Sequence, residues 1–195
     1  MTETRVSLIQ RVRDQTDETA WAQFFAIYHP LLTAYVRKRG LQEQDAADLV
    51  QDIFARLVPA MATFQLDAAR GRFRTWLWRV TQNALSDWAR RRAQRHRLER
   101  DWEEQLELAG EDASIPEWDE LYRRRMLEVA IERVRAVTQE STWACFAGKI
   151  LAGRPAEDVA RELGVSANVV YVNASRVLAK VRQAVSALEE SVDSP

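Results

Sequence analysis

The chain has 195 residues, 47% of them hydrophobic, and carries a net charge of −1 with a pI near 6.2. That length suits one ordinary domain or two small ones, and the hydrophobic share excludes a disordered chain. The single cysteine excludes an internal disulfide framework, the two histidines leave no Cys/His zinc constellation, and no run of residues has the length of a membrane span, so a reduced, soluble, cytoplasmic protein without a membrane association or cofactor is expected.

The predicted elements are helices throughout, giving an all-α fold. The N-terminus, MTETRVSLIQRVRD, lacks the apolar core of a signal peptide, and residues 5–13 form a short amphipathic helix. Asp17 or Thr19 caps the next helix, which carries Trp21, Phe24, Phe25, Ile27 and Tyr28 toward a core. Pro30 interrupts or kinks it, and the helix ends near Gly40. From Asp45 to Leu57, apolar residues Ala46, Leu49, Val50, Ile53, Phe54 and Leu57 recur with a helical period. Asp48, Gln51, Asp52 and Arg56 lie off that stripe. Residues 64–72 read as a loop, and a long helix follows from about Phe73 to Arg97. Gly, Asp, Ser and Pro cluster around residues 109–116, in an acidic stretch that suits a linker. Helical pattern resumes by Trp118 and runs through Val137. Residues 142–151 form another helix, with Trp143, Phe146 and Ile150 in the core and Cys145 as a small buried hydrophobe.

The near-neutral average hides a strong asymmetry. Residues 70–100 are heavily basic, whereas residues 101–120 contain many carboxylates and neither Lys nor Arg. Within 71–97, Arg72, Arg74, Arg79, Arg90, Arg91, Arg92, Arg95 and Arg97 alternate with Phe73, Trp76, Trp78 and Trp88. Arginines bind phosphates and aromatic faces stack on unpaired bases, so the run suits a surface that grips DNA and holds part of it single-stranded. Trp76 and Trp78 lie about 200° apart on a helix, so at least one belongs to the core. Phe73, Leu77, Val80 and Ala84 are assigned to the core as well.

Near the C-terminus, RPAEDVARELGVSANVVYVNASRVLAKVR reads as a helix-turn-helix. Pro155 suits a first helical turn, Gly164 the tight turn, and Ser166 the cap of a second helix. Val170, Ala174, Val177 and Val181 point inward. Asn168, Tyr171, Val172 and Ser175 point outward, with Arg176 and Lys180 further along. A second helix of this kind enters the major groove by its N-terminal end.

Three motifs in this order resemble the extracytoplasmic-function sigma factors, the compact class of bacterial RNA polymerase sigma subunits: DAADLVQDIFARLV, GRFRTWLWRVTQNALSDWARRR and the terminal helix-turn-helix. The resemblance covers about Trp21 to Val185. It implies two small helical domains joined by a linker: domain two over 1–98, an acidic linker over 99–121, domain four over 122–189 and a tail over 190–195. It further implies a protein that is not an enzyme, that binds core RNA polymerase and promoter DNA, and that is often held by an anti-sigma protein.

By the same resemblance Asp48, Gln51, Asp52 and Arg56 dock on polymerase. Loop 64–72 captures a flipped base, an extrusion that stacking must repay. Phe64, Arg70, Arg72, Arg74, Trp76, Arg79, Asn83, Arg90 and Arg91 then serve minus-ten recognition and melting. Ser166, Asn168, Tyr171, Val172, Ser175, Arg176 and Lys180 serve minus-35 recognition. The family often carries Lys or Arg in the middle of the recognition helix, where this chain has Tyr171, Val172, Asn173 and Ala174. The alternative is a helix-turn-helix regulator that acts without joining polymerase; it has no use for the aromatic-basic helix or the DLVQD face.

Overall fold

The computed structural model describes residues 8–64, 73–95 and 111–193. Their regular structure is helical, with no strand among the described residues: α1 (Leu8–Arg11), α2 (Glu18–Lys38), α3 (Glu43–Thr63), α4 (Phe73–Arg95), α5 (Glu111–Ala136), α6 (Glu140–Phe146), a π-helical turn (Ala147–Leu151), α7 (Ala156–Leu163) and α8 (Ala167–Asp193). Two compact units meet in sequence between Arg125 and Met126.

In the first unit, α2, α3 and α4 enclose one core. Phe24, Tyr28, Leu32 and Tyr35 of α2 meet Leu49, Ile53, Leu57 and Met61 of α3 and Phe73 and Leu77 of α4, all buried. Asp17 caps α2, its carboxylate accepting from the Ala20 amide at 2.9 Å and pairing with Arg11 at 2.9 Å. Phe25, expected in the core, is 48% exposed. Its position on the outer edge of α2 leaves its ring to cover His29 and Phe54 at 4.6 and 4.8 Å.

Pro30 does not interrupt α2. It has no N–H, so the carbonyl of Ala26, one turn back, loses its helical donor. Arg125 supplies a replacement: its guanidinium donates to the carbonyls of Ala26 at 2.9 Å and Ile27 at 3.0 Å. The helix therefore runs through the proline to Lys38. Likewise α3 passes Pro59 and ends at Thr63.

The stretch expected as a linker over 99–121 is helical from Glu111. Its carboxylates mask an apolar stripe, Trp118, Tyr122 and Met126, at helical spacing. Trp118 is 1% exposed, sits edge-on to Tyr35 at 5.0 Å, and donates its indole N–H to the carbonyl of Arg74 at 3.2 Å. An aromatic side chain of this size hides about 150–250 Å². At about 25 cal/mol per Å² that burial contributes roughly 4–6 kcal/mol as an upper figure. Residues 117–125 are therefore part of the first unit's packing rather than a tether.

In the second unit, Cys145, Ala156, Val159, Ala160 and Val170 form a core, with Leu163 and Ala167 packed against it. The helix expected over 142–151 changes register after Phe146: the Ala152 amide bonds the Ala147 carbonyl, five residues back, at 2.9 Å. Gly148 makes the close approach possible, since a β-carbon there would lie 2.9 and 3.0 Å from the γ-carbons of Val159. The change of register turns Ile150, expected in the core, outward to 42% exposure. Pro155 occupies the cap position of α7 rather than its first turn. Gly164, at φ 66°, makes the turn into α8, and the Ser166 hydroxyl accepts from the Val169 amide at 3.3 Å.

Candidate nucleic-acid interface

The basic helix α4 is divided by its own packing. Phe73, Leu77 and Ala84 are fully buried. Trp78 is nearly so, its indole N–H directed at the Tyr35 hydroxyl at 3.3 Å, where Gln82 and Arg39 also donate at 2.8 and 3.0 Å. Trp76 is half-buried, against Phe64 at 4.6 Å and Phe73 at 5.4 Å. Phe64 ends α3, and its ring also meets Phe73 edge-on at 5.6 Å. The three rings thus join the end of α3 to the first turn of α4. Residues 65–72, with the expected contacts Arg70 and Arg72, lie outside the described residues, as do residues 96 and 97.

The outer face of α4 carries Arg79, Asn83, Ser86 and Arg90, all exposed and spaced at four, three and four residues along one stripe. Arg74, Arg91 and Arg92 have acidic neighbours on other helices. Arg74 pairs with Asp119 at 3.1 Å and lies over the Tyr122 ring at 5.8 Å. Arg91 pairs with Asp52 at 3.2 Å, and Arg92 with Asp45 at 2.7 Å while covering the half-buried Trp88 ring at 5.1 Å. Arg90 reaches Asp87 at 3.7 Å. Of the residues assigned to DNA from sequence, Arg74 and Arg91 are thus held by carboxylates of this chain, whereas Arg79 and the neutral Asn83 are exposed.

The face expected to meet polymerase divides in the same way. Asp48 and Gln51 are exposed on α3. Asp52 and Arg56 are half-buried in a network with α4, in which Arg56 pairs with Asp52 at 3.1 Å and with Asp87 at 2.8 Å. The hydrogen bond from Arg56 holds the Asp87 carboxyl below its ordinary range and raises Arg56 itself. Sequence reasoning missed Asp45, Asp87, Trp118, Asp119 and Arg125. Only Trp118 had a readable signal, the apolar spacing to Tyr122 and Met126.

In the second unit Ser166 precedes α8, and the outward side of the helix carries Asn168, Tyr171, Val172, Ser175, Arg176 and Lys180, all exposed. Val169 and Val172 add apolar surface. Lys149, from the π-helical turn, lies 5.4 Å from the Tyr171 ring centre and puts a cation beside the charge-poor start of α8. Val170, Ala174, Val177 and Val181 are buried, as the inward stripe requires. Asn173 turns its side-chain amide to the Cys145 sulfur at 3.7 Å.

Among the described residues, no group of three or more His, Cys, Asp or Glu could hold a metal ion, and no helix is long and apolar enough to cross a membrane. Comparison with known proteins matches residues 24–95 to the sigma-70 region 2 family. The chain is 23% identical to the ECF RNA polymerase sigma factor RpoE of Cereibacter sphaeroides over 93% of its length and 94% of that protein's. It is 34% identical to the RNA polymerase sigma factor NccH of Alcaligenes xylosoxydans xylosoxydans over 43% of the chain and 44% of that protein. The region 2 match spans most of α2 and all of α3 and α4, where the outward arginine stripe and the ring cluster lie; together with the similarity over nearly the whole chain to an ECF RNA polymerase sigma factor, it supports a sigma factor that directs transcription initiation by RNA polymerase.

Proposed function

We propose that the chain divides initiation between its two units. The observation that carries this reading is the split face of α4: Arg79, Asn83 and Arg90 line one exposed stripe, while Phe64, Phe73 and Trp76 gather at the helix start. Cations spaced along a helix suit a phosphate track, and clustered rings beside them suit capture of an unstacked base. Loop 64–72, with Arg70 and Arg72, adjoins that cluster in sequence and completes the minus-ten and melting assignment. Asp48 and Gln51 offer the polymerase-docking contacts. Asp52 and Arg56 serve that face by bracing α3 against α4.

Helix α8 reads the minus-35 element as duplex. Asn168 suits bidentate bonding to adenine, Tyr171 and Val172 suit apolar contact with thymine methyls, and Ser175 can bond either partner. Ser166 caps the helix that enters the groove, and Arg176 and Lys180 follow the backbone. The protein on this reading works in the cytoplasm by binding and not by catalysis. An anti-sigma protein that covered Asp48 and Gln51 would keep it from polymerase.

Run-off transcription with core polymerase on a promoter library tests the reading. Promoter-specific transcripts that depend on the protein are expected. Binding of the protein alone to promoter duplex, with no transcript on adding core polymerase, would favour a free-standing regulator instead.

A further inference from the structure

We infer that residues 117–125, the middle of α5, are a positioning element for promoter opening. The inference rests on the assignment of α4 to the minus-ten region. Four residues of this segment, Glu117, Trp118, Asp119 and Arg125, join it to α2 and to α4, which carries that surface. The Trp118 indole N–H bonds the Arg74 carbonyl in the first turn of α4, and Asp119 pairs with the Arg74 guanidinium. Glu117 pairs with Arg39 at 2.9 Å and Lys38 at 3.3 Å, at the end of α2. Arg125 donates to the two carbonyls of α2 described above. The segment therefore bridges α2 and the start of α4.

The contacts to Arg74 are specific in chemistry as well as place. The indole fixes the backbone of the first turn of α4, and the carboxylate fixes the side chain that projects from it. Phe73 and Trp76, which flank Arg74 in sequence, belong to the ring cluster with Phe64. A shift in this turn moves the buried Phe73 and, packed on it, the half-buried Phe64 and Trp76 rings that would receive an extruded base, whereas Arg79, Asn83 and Arg90 lie further along the helix. Arg74 acts here as the handle by which α4 is held. Its pairing with Asp119 replaces the direct phosphate contact read from sequence. The burial of Trp118 makes the arrangement permanent rather than a latch that opens in each cycle.

The test uses the full chain assembled with core polymerase, comparing a duplex promoter with the same promoter already unpaired around the start site. Trp118→Phe keeps the ring and removes the N–H donor. Asp119→Ala removes the ion pair on a partly exposed edge, and Asp119→Glu restores the charge. Trp118→Phe and Asp119→Ala are expected to slow exposure of reactive thymines on duplex about fivefold to tenfold, the scale of one neutral hydrogen bond or one partly buried ion pair. Transcription from the unpaired template and affinity for core polymerase should stay at the wild-type level, and Asp119→Glu should recover opening. In the Arg74→Ala, Asp119→Ala double variant the loss should be no greater than in either single variant.

Wild-type opening by the Asp119→Ala protein, or equal loss on both templates, overturns the inference, as does an additive loss in the double variant. Arg79→Ala and Asn83→Ala run alongside. If they also open duplex at the wild-type rate, the assignment of α4 to promoter opening fails, and the positioning role fails with it.

Discussion

Helices α4 and α8 carry their positive charge in opposite ways. On α4 the arginines come with carboxylates from three helices: Asp45 and Asp52 of α3, Asp87 of α4 itself, and Asp119 of α5. On α8, Asn168, Tyr171, Val172 and Ser175 come first, and Arg176 and Lys180 follow the neutral face. A basic stretch in a sequence is therefore not the same as a basic surface. Among the described residues Arg74, Arg91 and Arg92 tie helices together, and on the proposed function a DNA phosphate must compete with those internal carboxylates. The face on α8 has few charges to steer binding, so on the proposed function its selectivity comes from the shape and hydrogen-bonding pattern of bases.

The strongest way to break this contrast is to remove the packing that supports the first. Trp118→Ala should destabilise the first unit by about 3–5 kcal/mol, the usual cost of emptying a buried aromatic site. The second unit should unfold as before, so thermal denaturation should resolve two transitions. A single shifted transition would show that the units do not unfold independently.

A smaller effect separates base reading from charge. Asn168→Ala should cost about 1–3 kcal/mol at one minus-35 position and relax preference there, with little change elsewhere. Selection of promoters from a randomised minus-35 library by the holoenzyme measures this. A uniform loss across sequences would move Asn168 from reading bases to holding backbone.

Within α4 itself, Arg90→Ala and Arg91→Ala should differ. Arg90 is exposed on the outer stripe, and its loss should lower the slope of log K against log salt by roughly 0.9 on duplex. Arg91 is engaged with Asp52, so its loss should leave the slope unchanged and cost less than about 1 kcal/mol of stability. Equal slopes for the two variants would contradict the division of the helix drawn here. Charge reversal at Arg91 or Arg92 is a poorer probe, because it sets Glu against Asp52 or Asp45. Replacing Asp52 to test polymerase docking has a similar defect, since Asp52 also holds Arg56 and Arg91; Asp48 and Gln51 give the cleaner measurement.

The smallest expected effect is acid sensitivity. Asp87 is held below its ordinary range in the folded chain by Arg56, so the unfolded chain takes up this proton more readily. Its stabilising contribution is complete above the ordinary carboxylate value near about 3.9 and is lost as pH falls through the lower folded value. Denaturant midpoints measured from pH 6 to pH 2 should fall less steeply for Asp87→Asn than for the wild type over that acid range.

Much of the fold was legible because helical periodicity survives in a single sequence. The stripe from Ala46 to Leu57, the Gly164 turn and the Ser166 cap each follow from local chemistry. The partition of the arginines was not legible. Arg92 meets Asp45 across 47 positions, Arg91 meets Asp52 across 39, and no spacing rule links such residues. The misplacement of Phe25 and Ile150 has a related cause. Hydrophobicity says that a ring or branched chain favours burial, but the edge of α2 and the π-register after Phe146 decide which side it faces. The stretch expected as a linker is helical from Glu111, seven residues before the pattern becomes readable at Trp118, because its acidic composition masks the helix start.

Pro30 and Arg125 have a consequence for how this sequence can change. Replacing Pro30 with Ala would restore a backbone donor to the Ala26 carbonyl, and the guanidinium 99 positions away would lose half of its duty. Replacing Arg125 first would strand that carbonyl with no donor. The two routes between the same end points are therefore unequal. Descent should pass through the proline before the arginine, and sequences that retain Pro30 should retain a long cationic donor at position 125.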